Sequence, residues 1–269
     1  MFPLRLRAYP SRVEITPEAN EGRRRGLSRR AAILGGTGIA VVSAAGTATA
    51  TDEVVTYRSP TYRVSPMPDT VTAPMSVRIT WHTEAPPTLT AHLTFDDGPS
   101  PVWTPRILDT LHRNDATATF FMLHEFIKGH PDVVRQVHDA GHEIGVHGGD
   151  HTDMTTLEAA QLAGILSTTR HAITEITGVS PTRMRPPYGR LDAPVLWAAH
   201  QAGLDEVVLW SHRTGGSRQE AQAALDHASS GMIILSHDGR SSVNDAELDA
   251  IGWLLPQLRA RGFSMTRLP

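Results

Sequence analysis

Strand and helix patterns alternate regularly from Leu89 to Arg267, and this alternation constrains the possible folds more than any other feature of the sequence. Apolar runs rich in β-branched and aromatic residues, such as Thr117–Leu123, predict strands. The segments between them carry apolar residues at helical spacing, and the longest of these is Thr156–Thr177. Parallel strands need a crossover between them, usually a helix. The alternation therefore predicts an α/β fold built on a parallel sheet or a barrel.

The predicted elements place polar residues at one end of this sheet. The predicted strands cover 77–81, 89–95, 117–123, 143–147, 182–185, 206–210, 232–236 and 263–267. The predicted helices cover 104–113, 131–140, 156–177, 193–202, 218–229 and 245–261. Active sites of (β/α) barrels collect at the C-terminal ends of the strands. The polar residues at or just past predicted strand ends are Asp96, Asp97, His147, Arg185 and His237.

The first 50 residues predict an export signal. Arg23–Arg25 and Ser28–Arg30 form a basic region, Ala31–Ala45 carries no charge, and Ala48–Ala50 fits a cleavage site. The arrangement at Ser28–Leu34 resembles a twin-arginine signal, so we expect a secreted or cell-envelope protein. An uncleaved anchor is the alternative, but the segment barely reaches the roughly 20 apolar residues that a span needs. We therefore expect no membrane span after cleavage.

Residues 51–87 are rich in Pro, Thr and Ser, which predicts a linker or an extended segment ahead of a folded domain at 88–269. Residues 1–50 hold 8 Arg and 3 Glu, so the remaining chain has 17 basic and 25 acidic residues and a net charge of −8. Such an acidic domain is a poor candidate for nucleic-acid binding. It suits a neutral polymer, or one that becomes cationic as it reacts. The chain has no cysteine, which excludes disulfides and thiolate metal sites.

Two adjacent carboxylates, Asp96 and Asp97, end an apolar run, and Gly98-Pro99 then stops the strand. Side chains alternate along a strand, so neighbouring carboxylates should leave it in different directions. This suits two tasks, one binding a metal and one moving a proton. Further along, the chain supplies the pair His147 and His151 and then a late His237. The combination suggests metal-assisted hydrolysis.

Asp97, His147 and His151 are the predicted ligands of one divalent metal ion. A catalytic zinc has about three protein ligands and keeps a position open for water. One carboxylate and two imidazoles accept zinc, our first expectation, and also cobalt, nickel or iron. A competing interpretation is the facial triad of non-haem iron oxygenases, because His151 and Asp153 form a His-x-Asp pair. Those enzymes typically use antiparallel β scaffolds, and the β–α alternation argues against them.

The ordered motifs resemble those of the polysaccharide deacetylases, the carbohydrate esterases with a NodB homology domain. The resemblance covers about residues 88–269. It implies a distorted (β/α) barrel of the NodB type, acting as a metal-dependent hydrolase that removes N-acetyl groups. The implied substrate is an N-acetylglucosamine-containing polymer or oligosaccharide of the peptidoglycan or chitin type. The matched pieces are Thr94–Pro99, Ala118–Phe121, Gly141–His147 with His151, Arg185–Gly189 and Ile233–Asp238.

The resemblance also implies roles for single residues. Asp96 is the general base that activates the attacking water, and Arg185 pairs with Asp96 and orients it. His237 is the general acid for the leaving amine, and a nearby carboxylate should support its charge. The backbone N–H of Tyr188 contributes to binding the oxyanion. Leu235 and Trp210 line the pocket for the acetyl methyl group, although a core role for Trp210 is an equal alternative.

Two departures from the family pattern bear on activity. Gly148 stands where the family usually has Ser or Thr, which removes a hydroxyl beside the metal ligands. After the strand that ends at Trp210, the family normally has an Asp-Trp pair that braces the catalytic Arg or His and forms one substrate wall. Residues 211–217 contain neither an acid nor a Trp. Two rival functions therefore stay open: an O-acetyl esterase acting on xylan, and a catalytically weak glycan-binding protein of the cell envelope.

Overall fold

The structure is a computed structural model that describes residues 76–84, 88–240 and 243–269. The predicted export signal and most of the predicted linker lie outside the described residues. The expected strand within residues 77–81 is present as β1. Among the helices of the described ranges, none is both long and apolar enough to cross a membrane.

Nine strands and seven helices are found in the described ranges. The strands are β1 (Arg78–Thr80), β2 (Thr90–Gly98), β3 (Ala118–Leu123), β4 (Glu143–Gly148), β5 (Arg183–Met184), β6 (Glu206–Val208), β7 (His212–Arg213), β8 (Met232–His237) and β9 (Ser264–Met265). The helices are α1 (Trp103–Arg113), α2 (His124–Gly129), α3 (Pro131–Asp139), α4 (Ala159–Thr177), α5 (Ala193–Gln201), α6 (Arg218–Asp226) and α7 (Asp245–Ala260). Of these, α2 and β7 were not expected from the sequence. Both are short, and α2 follows β3 with no intervening loop that would mark its start.

The strands form one sheet in the order β1-β6-β5-β4-β3-β2-β8-β7, with β9 also paired to β2, and every ladder between them is parallel. The strands at its centre, β2 and β3, are buried along their whole length. Strands that are covered on both faces have continuous apolar sequences, and for this reason β3 could be predicted from the sequence. Phe95 and Phe120 stack within this core at 4.9 Å between ring centroids.

The two sides of the sheet are linked, and the sheet is curled. β6, the second strand in the order, ends at Val208, and β7, the last, begins at His212, so residues 209–211 run from one side of the sheet to the other. The N–H of Ser211 donates to the Ile233 carbonyl of β8 at 3.0 Å. Beyond β1, His82 forms an antiparallel bridge with Met232 of β8. These links produce a distorted barrel, which confirms the predicted fold class and gathers the C-terminal strand ends at one face.

Candidate active site

Two β-bulges set the directions of the predicted metal ligands. In the β2–β3 ladder Asp96 pairs with Phe121 and Gly98 with Met122, so Asp97 is an extra residue with no partner in the register. In the β3–β4 ladder His147 is skipped in the same way. Bulges occur next to active sites, where they redirect a side chain.

The simple alternation expected for Asp96 and Asp97 is therefore wrong. Asp97 has a φ of 75°, in the left-handed region, which breaks the regular pleat. Both carboxylates approach the same atom, His147 Nε2, at 3.9 Å from Asp96 Oδ2 and 3.3 Å from Asp97 Oδ1. The two acids thus share one site instead of facing opposite sides of the sheet.

Asp97, His147 and His151 form the one group of three His or acidic residues in the described ranges whose ligand atoms all lie within 4.8 Å of one another. Asp97 Oδ1 lies 3.3 Å from Nε2 of each histidine. Two ligands of a tetrahedral ion at about 2.0–2.1 Å are separated by about 3.3 Å, so these spacings fit a zinc-sized ion. His151 also adopts a left-handed φ, of 64°, in the loop after β4.

The protonation pattern of His147 fits a metal ligand. Its Nδ1 donates to the Arg185 carbonyl at 2.7 Å, which leaves Nε2 pointing to Asp97. In metal-binding histidines, a hydrogen bond from the ring nitrogen that does not touch the metal fixes the tautomer and the orientation of the ring. Nε2 is buried and faces Asp97 Oδ1 at 3.3 Å. In the neutral ring with Nδ1 protonated, Nε2 carries a lone pair directed at a carboxylate oxygen, and a cation between the two atoms would satisfy both.

The charges of the group interact strongly. Burial by itself would raise the pKa of Asp97, but the hydrogen bond and charge of His147 and the charge of His151 lower it overall. Burial would likewise lower the pKa of His147, yet the charge of Asp96 and the contacts of Asp97 raise it. For His151 burial prevails and lowers the pKa. The cluster therefore combines a strongly anionic oxygen with two imidazole nitrogens, a donor set suited to a divalent ion.

Asp153, the carboxylate of the competing facial-triad interpretation, is committed elsewhere. Its Oδ2 accepts a hydrogen bond from Arg190 at 2.5 Å, and its Oδ1 accepts from the Thr155 backbone at 3.1 Å. It begins the short 3₁₀ turn Met154–Thr156 and does not join the Asp97 cluster. The structure thus offers no support for a ligand set that includes Asp153.

Arg185 lies next to the Asp97, His147 and His151 cluster, through its contact with Asp96, and is completely buried. Its Nη1 donates to Asp96 Oδ1 at 2.8 Å and to Thr94 Oγ1 at 2.7 Å. Its Nε and Nη2 donate to the Val208 and Leu209 carbonyls, each at 3.0 Å. The guanidinium is therefore braced by backbone oxygens and by Thr94, none of which depends on the Asp-Trp pair that is missing from residues 211–217.

Asp96 and His237 occupy matching positions on adjacent parallel strands, because they are register partners in the β2–β8 ladder. The N–H of the next residue, Asp238, donates to the Asp96 carbonyl at 3.0 Å. Asp238 itself is fully buried, and Thr104 Oγ1 donates to its Oδ2 at 2.5 Å. Burial, reinforced by the charges of Asp97 and Asp96, raises the pKa of Asp238 to about 7.

The remaining predicted residues form the walls of a cleft of about 500 Å³ above the acids. The Tyr188 ring meets His151 edge-on at 4.5 Å between centroids, and Tyr188 has a left-handed φ of 61°. Leu235 is buried, while Trp210 lines the cleft and also packs on a small apolar cluster with Phe121. Trp210 therefore contacts both the cleft and the core, so the cleft-lining and the core interpretation each describe part of its environment.

The cleft brings together eight of the nine site residues expected from the sequence, and Arg185 supports it from below. Sequence reasoning missed two arginines, Arg213 and Arg240, which also line the cleft. It also missed Glu247, which is buried behind β8. None of the three belongs to a motif recognised in the sequence: Arg213 reaches the cleft from β7 and Arg240 from the loop after β8, and Glu247 is placed by the packing of α7.

The sequence of this chain matches known polysaccharide deacetylases. The family model described as polysaccharide deacetylase matches residues 83–207. A chitooligosaccharide deacetylase of Bradyrhizobium is 33% identical over 201 residues, covering 68% of this chain and 90% of that protein. A peptidoglycan-N-acetylglucosamine deacetylase of Listeria monocytogenes is 31% identical over 200 residues. That match covers 72% of this chain but only 41% of the Listeria protein.

Solved structures show the same relationship. The Bc1960 peptidoglycan N-acetylglucosamine deacetylase has a TM-score of 0.66 and 30% identity, covering 72% of this chain and 92% of that one. The fold, the order of the motifs and the near-complete coverage of the Bradyrhizobium relative agree with one another. This chain belongs to the polysaccharide deacetylase family.

Proposed function

We propose that this protein is a metal-dependent hydrolase that removes N-acetyl groups from N-acetylglucosamine-containing polysaccharide of the peptidoglycan or chitin type. The observation that carries the proposal is that the Asp97, His147 and His151 cluster lines one cleft together with Asp96 and His237. The names of its relatives, which include a peptidoglycan-N-acetylglucosamine deacetylase and a chitooligosaccharide deacetylase, support this substrate class.

Asp97, His147 and His151 would hold the ion, for which zinc is the first choice and cobalt, nickel or iron are alternatives. When bound, such an ion polarises the acetyl carbonyl and makes the attacking water more acidic. Asp96 accepts a proton from this water through Oδ2, the oxygen on the His147 side. Arg185 holds the other oxygen, Oδ1, and so fixes the direction of the base.

The residues around the cleft complete the reaction. The Tyr188 N–H stabilises the negative oxygen that develops on the former carbonyl, an effect of about 3–4 kcal/mol for one well-placed donor. His237 donates a proton to the departing nitrogen, so that a neutral amine leaves. Leu235 and Trp210 offer an apolar wall for the acetyl methyl group. The products are acetate and a glucosamine unit of the polymer.

The proposed place of action is the cell envelope or the medium, reached through a twin-arginine-like signal at residues 1–50. The support for this is the basic region followed by an uncharged stretch and an A-x-A site. Polymeric peptidoglycan lies outside the membrane, so the proposed substrate and the proposed location agree.

Acetate release tests the proposal. The purified chain, loaded with zinc, cobalt or nickel, is incubated with N-acetylated chito-oligosaccharides, peptidoglycan and acetylated xylan. We expect release from an N-acetylated glycan, loss of release in Asp97→Asn, and retained release in Asp153→Asn, the matched control in the same region. Release from xylan alone would support the esterase alternative. Glycan binding without turnover would support the weak-binding alternative, and no release from any substrate overturns the deacetylase.

A further inference from the structure

The segment that lacks the family acid lies against a carboxylate from a different element. Gly216 has a left-handed φ of 66°, and a Cβ added there would lie 3.2 Å from Glu247 Oε2. Glu247 is in the first turn of α7, about thirty residues further along the chain. The space beside residues 211–217 therefore contains a negative group even though this segment supplies none.

Glu247 is tied to the end of β8. It is 1% exposed, and Thr214 Oγ1 donates to its Oε1 at 2.5 Å. Thr214 Oγ1 also lies 3.0 Å from Ser236 Oγ, and the Thr214 N–H donates to the Leu235 carbonyl at 3.0 Å. Burial raises the pKa of Glu247, while the hydrogen bond from Thr214 and the charge of His237 oppose the rise. Thr214 thus links the acid to Leu235 and Ser236, the two residues that precede His237 in β8.

The other charged groups around His237 are engaged in other contacts. Asp96 pairs with Arg185 at 2.8 Å, and Asp97 belongs to the metal cluster. On the cleft side, Arg213 pairs with Glu220 at 3.2 Å, and Arg240 lies 3.8 Å from Asp97. The next residue, Asp238, is also buried and accepts a hydrogen bond from Thr104. Glu247 is thus a second buried carboxylate near the end of β8, whereas Arg213 and Arg240 line the cleft.

We infer that Glu247 is a positioning residue that fixes His237 and places a buried negative charge behind it, in place of the acid missing from residues 211–217. The inference rests on the proposed function, because His237 acts there as the general acid. It differs from a merely structural role of Glu247, which would dock α7 onto β8 without affecting proton transfer. The two roles predict different dependence on the leaving group.

Two small acetyl compounds separate these roles. 4-Nitrophenyl acetate releases a stable phenolate and needs no proton from His237, whereas the nitrogen of 4-nitroacetanilide must take up a proton to leave as neutral 4-nitroaniline. The metal-loaded chain and its Glu247→Gln variant are compared on both compounds and on N-acetylated chito-oligosaccharide. We expect Glu247→Gln to lower kcat about 10–100-fold on the two amides, less than the roughly 100–10,000-fold that a general acid contributes in full, because His237 itself is retained. We expect a less than threefold change on the ester, with KM unchanged.

Two further variants make the result specific. Glu247→Asp keeps the charge and should recover part of the amide activity. Asp249→Asn removes an exposed acid from the same helix and should behave like the unmodified chain. Equal losses on ester and amides, or no loss on either, would overturn the inference. If the unmodified chain cleaves the small amide but no glycan, the proposed substrate fails while the role of Glu247 is still decided. Inactivity on all compounds overturns both.

Discussion

Asp97 Oδ1 lies 3.3 Å from His147 Nε2, and each of these two residues is the extra residue of a β-bulge. The bulges lie on β2 and β4, which flank β3 in the sheet. A regular ladder would send the two side chains to positions set by the pleat alone. The paired bulges instead direct both toward one point at the C-terminal strand ends, where His151 joins them from the following loop.

Metal binding is the first prediction from this arrangement. We expect the metal-free chain to bind one zinc ion, and binding to raise the thermal unfolding temperature. Free zinc at 100 times its Kd would raise the free energy of unfolding by about 2.7 kcal/mol. Asp97→Asn removes the anionic ligand and should abolish both the stoichiometric binding and the thermal shift. Titration calorimetry and differential scanning calorimetry measure the two effects, and Asp153→Asn should retain both. A full shift in Asp97→Asn contradicts the ligand set.

The buried pair of Arg185 and Asp96 leads to a prediction about stability. Arg185→Met leaves Asp96 without its cation, and breaking a buried pair in this way costs about 3–5 kcal/mol. In an Asp96→Asn background, Arg185→Met leaves no buried charge unpaired. We therefore expect it to lower the free energy of unfolding by at least about 1 kcal/mol less than in the unmodified chain. Urea unfolding of the four proteins provides the comparison. Equal losses in the two backgrounds would show that the ion pair does not stabilise the fold.

The element order and the position of the site could be predicted because they depend on local patterns. Continuous apolar runs marked the central strands, and a parallel sheet brings polar residues at strand ends to one face. Two features depend on tertiary structure instead. The bulges at Asp97 and His147 arise from the register between paired strands. The alternation of residues within a single strand carries no information about that register. Glu247 reaches β8 only because α7 packs there, and its spacing from His237 matches no short motif.

The missing hydroxyl at position 148 has a conformational explanation, which gives a third prediction. Gly148 has a φ of 111°, and an added Cβ would lie 2.7 Å from Met154 Cε. Gly148→Ser should therefore destabilise the protein by about 1–3 kcal/mol, the usual cost of a strained backbone position. We do not expect it to improve activity as a restored family residue. Gly164→Ala is the matched control, because Gly164 lies inside α4 with open space around it.

Chemical denaturation measures both glycine variants. In a helix interior, alanine is favoured over glycine by about 1 kcal/mol, so Gly164→Ala should stabilise the chain. If Gly148→Ser were as stable as the unmodified chain, the backbone at the end of β4 would have to accommodate a side chain without strain. The family serine would then be compatible with this site, and its absence would need another explanation.

The buried carboxyl of Asp238 predicts how stability depends on pH. Its pKa is raised from 3.8 to about 7, so the folded chain binds a proton that the unfolded chain releases near pH 4. The free energy of unfolding should therefore fall as pH rises from about 4 to about 7. At about 1.4 kcal/mol per pH unit, the loss reaches a few kcal/mol. Asp238→Asn carries no titrating group and should lack this slope, so it should gain stability relative to the unmodified chain above pH 7.

Urea unfolding of the metal-free proteins between pH 4 and pH 8 tests this prediction, with exposed Asp109→Asn as the control. The charge of Asp97 is one cause of the raised pKa of Asp238. Zinc bound at Asp97 should compensate that charge, so the difference between Asp238→Asn and the unmodified chain should shrink in the metal-loaded proteins. Parallel pH profiles for Asp238→Asn and the unmodified metal-free chain would show that Asp238 is already ionised in the folded state near pH 5, and would contradict the prediction.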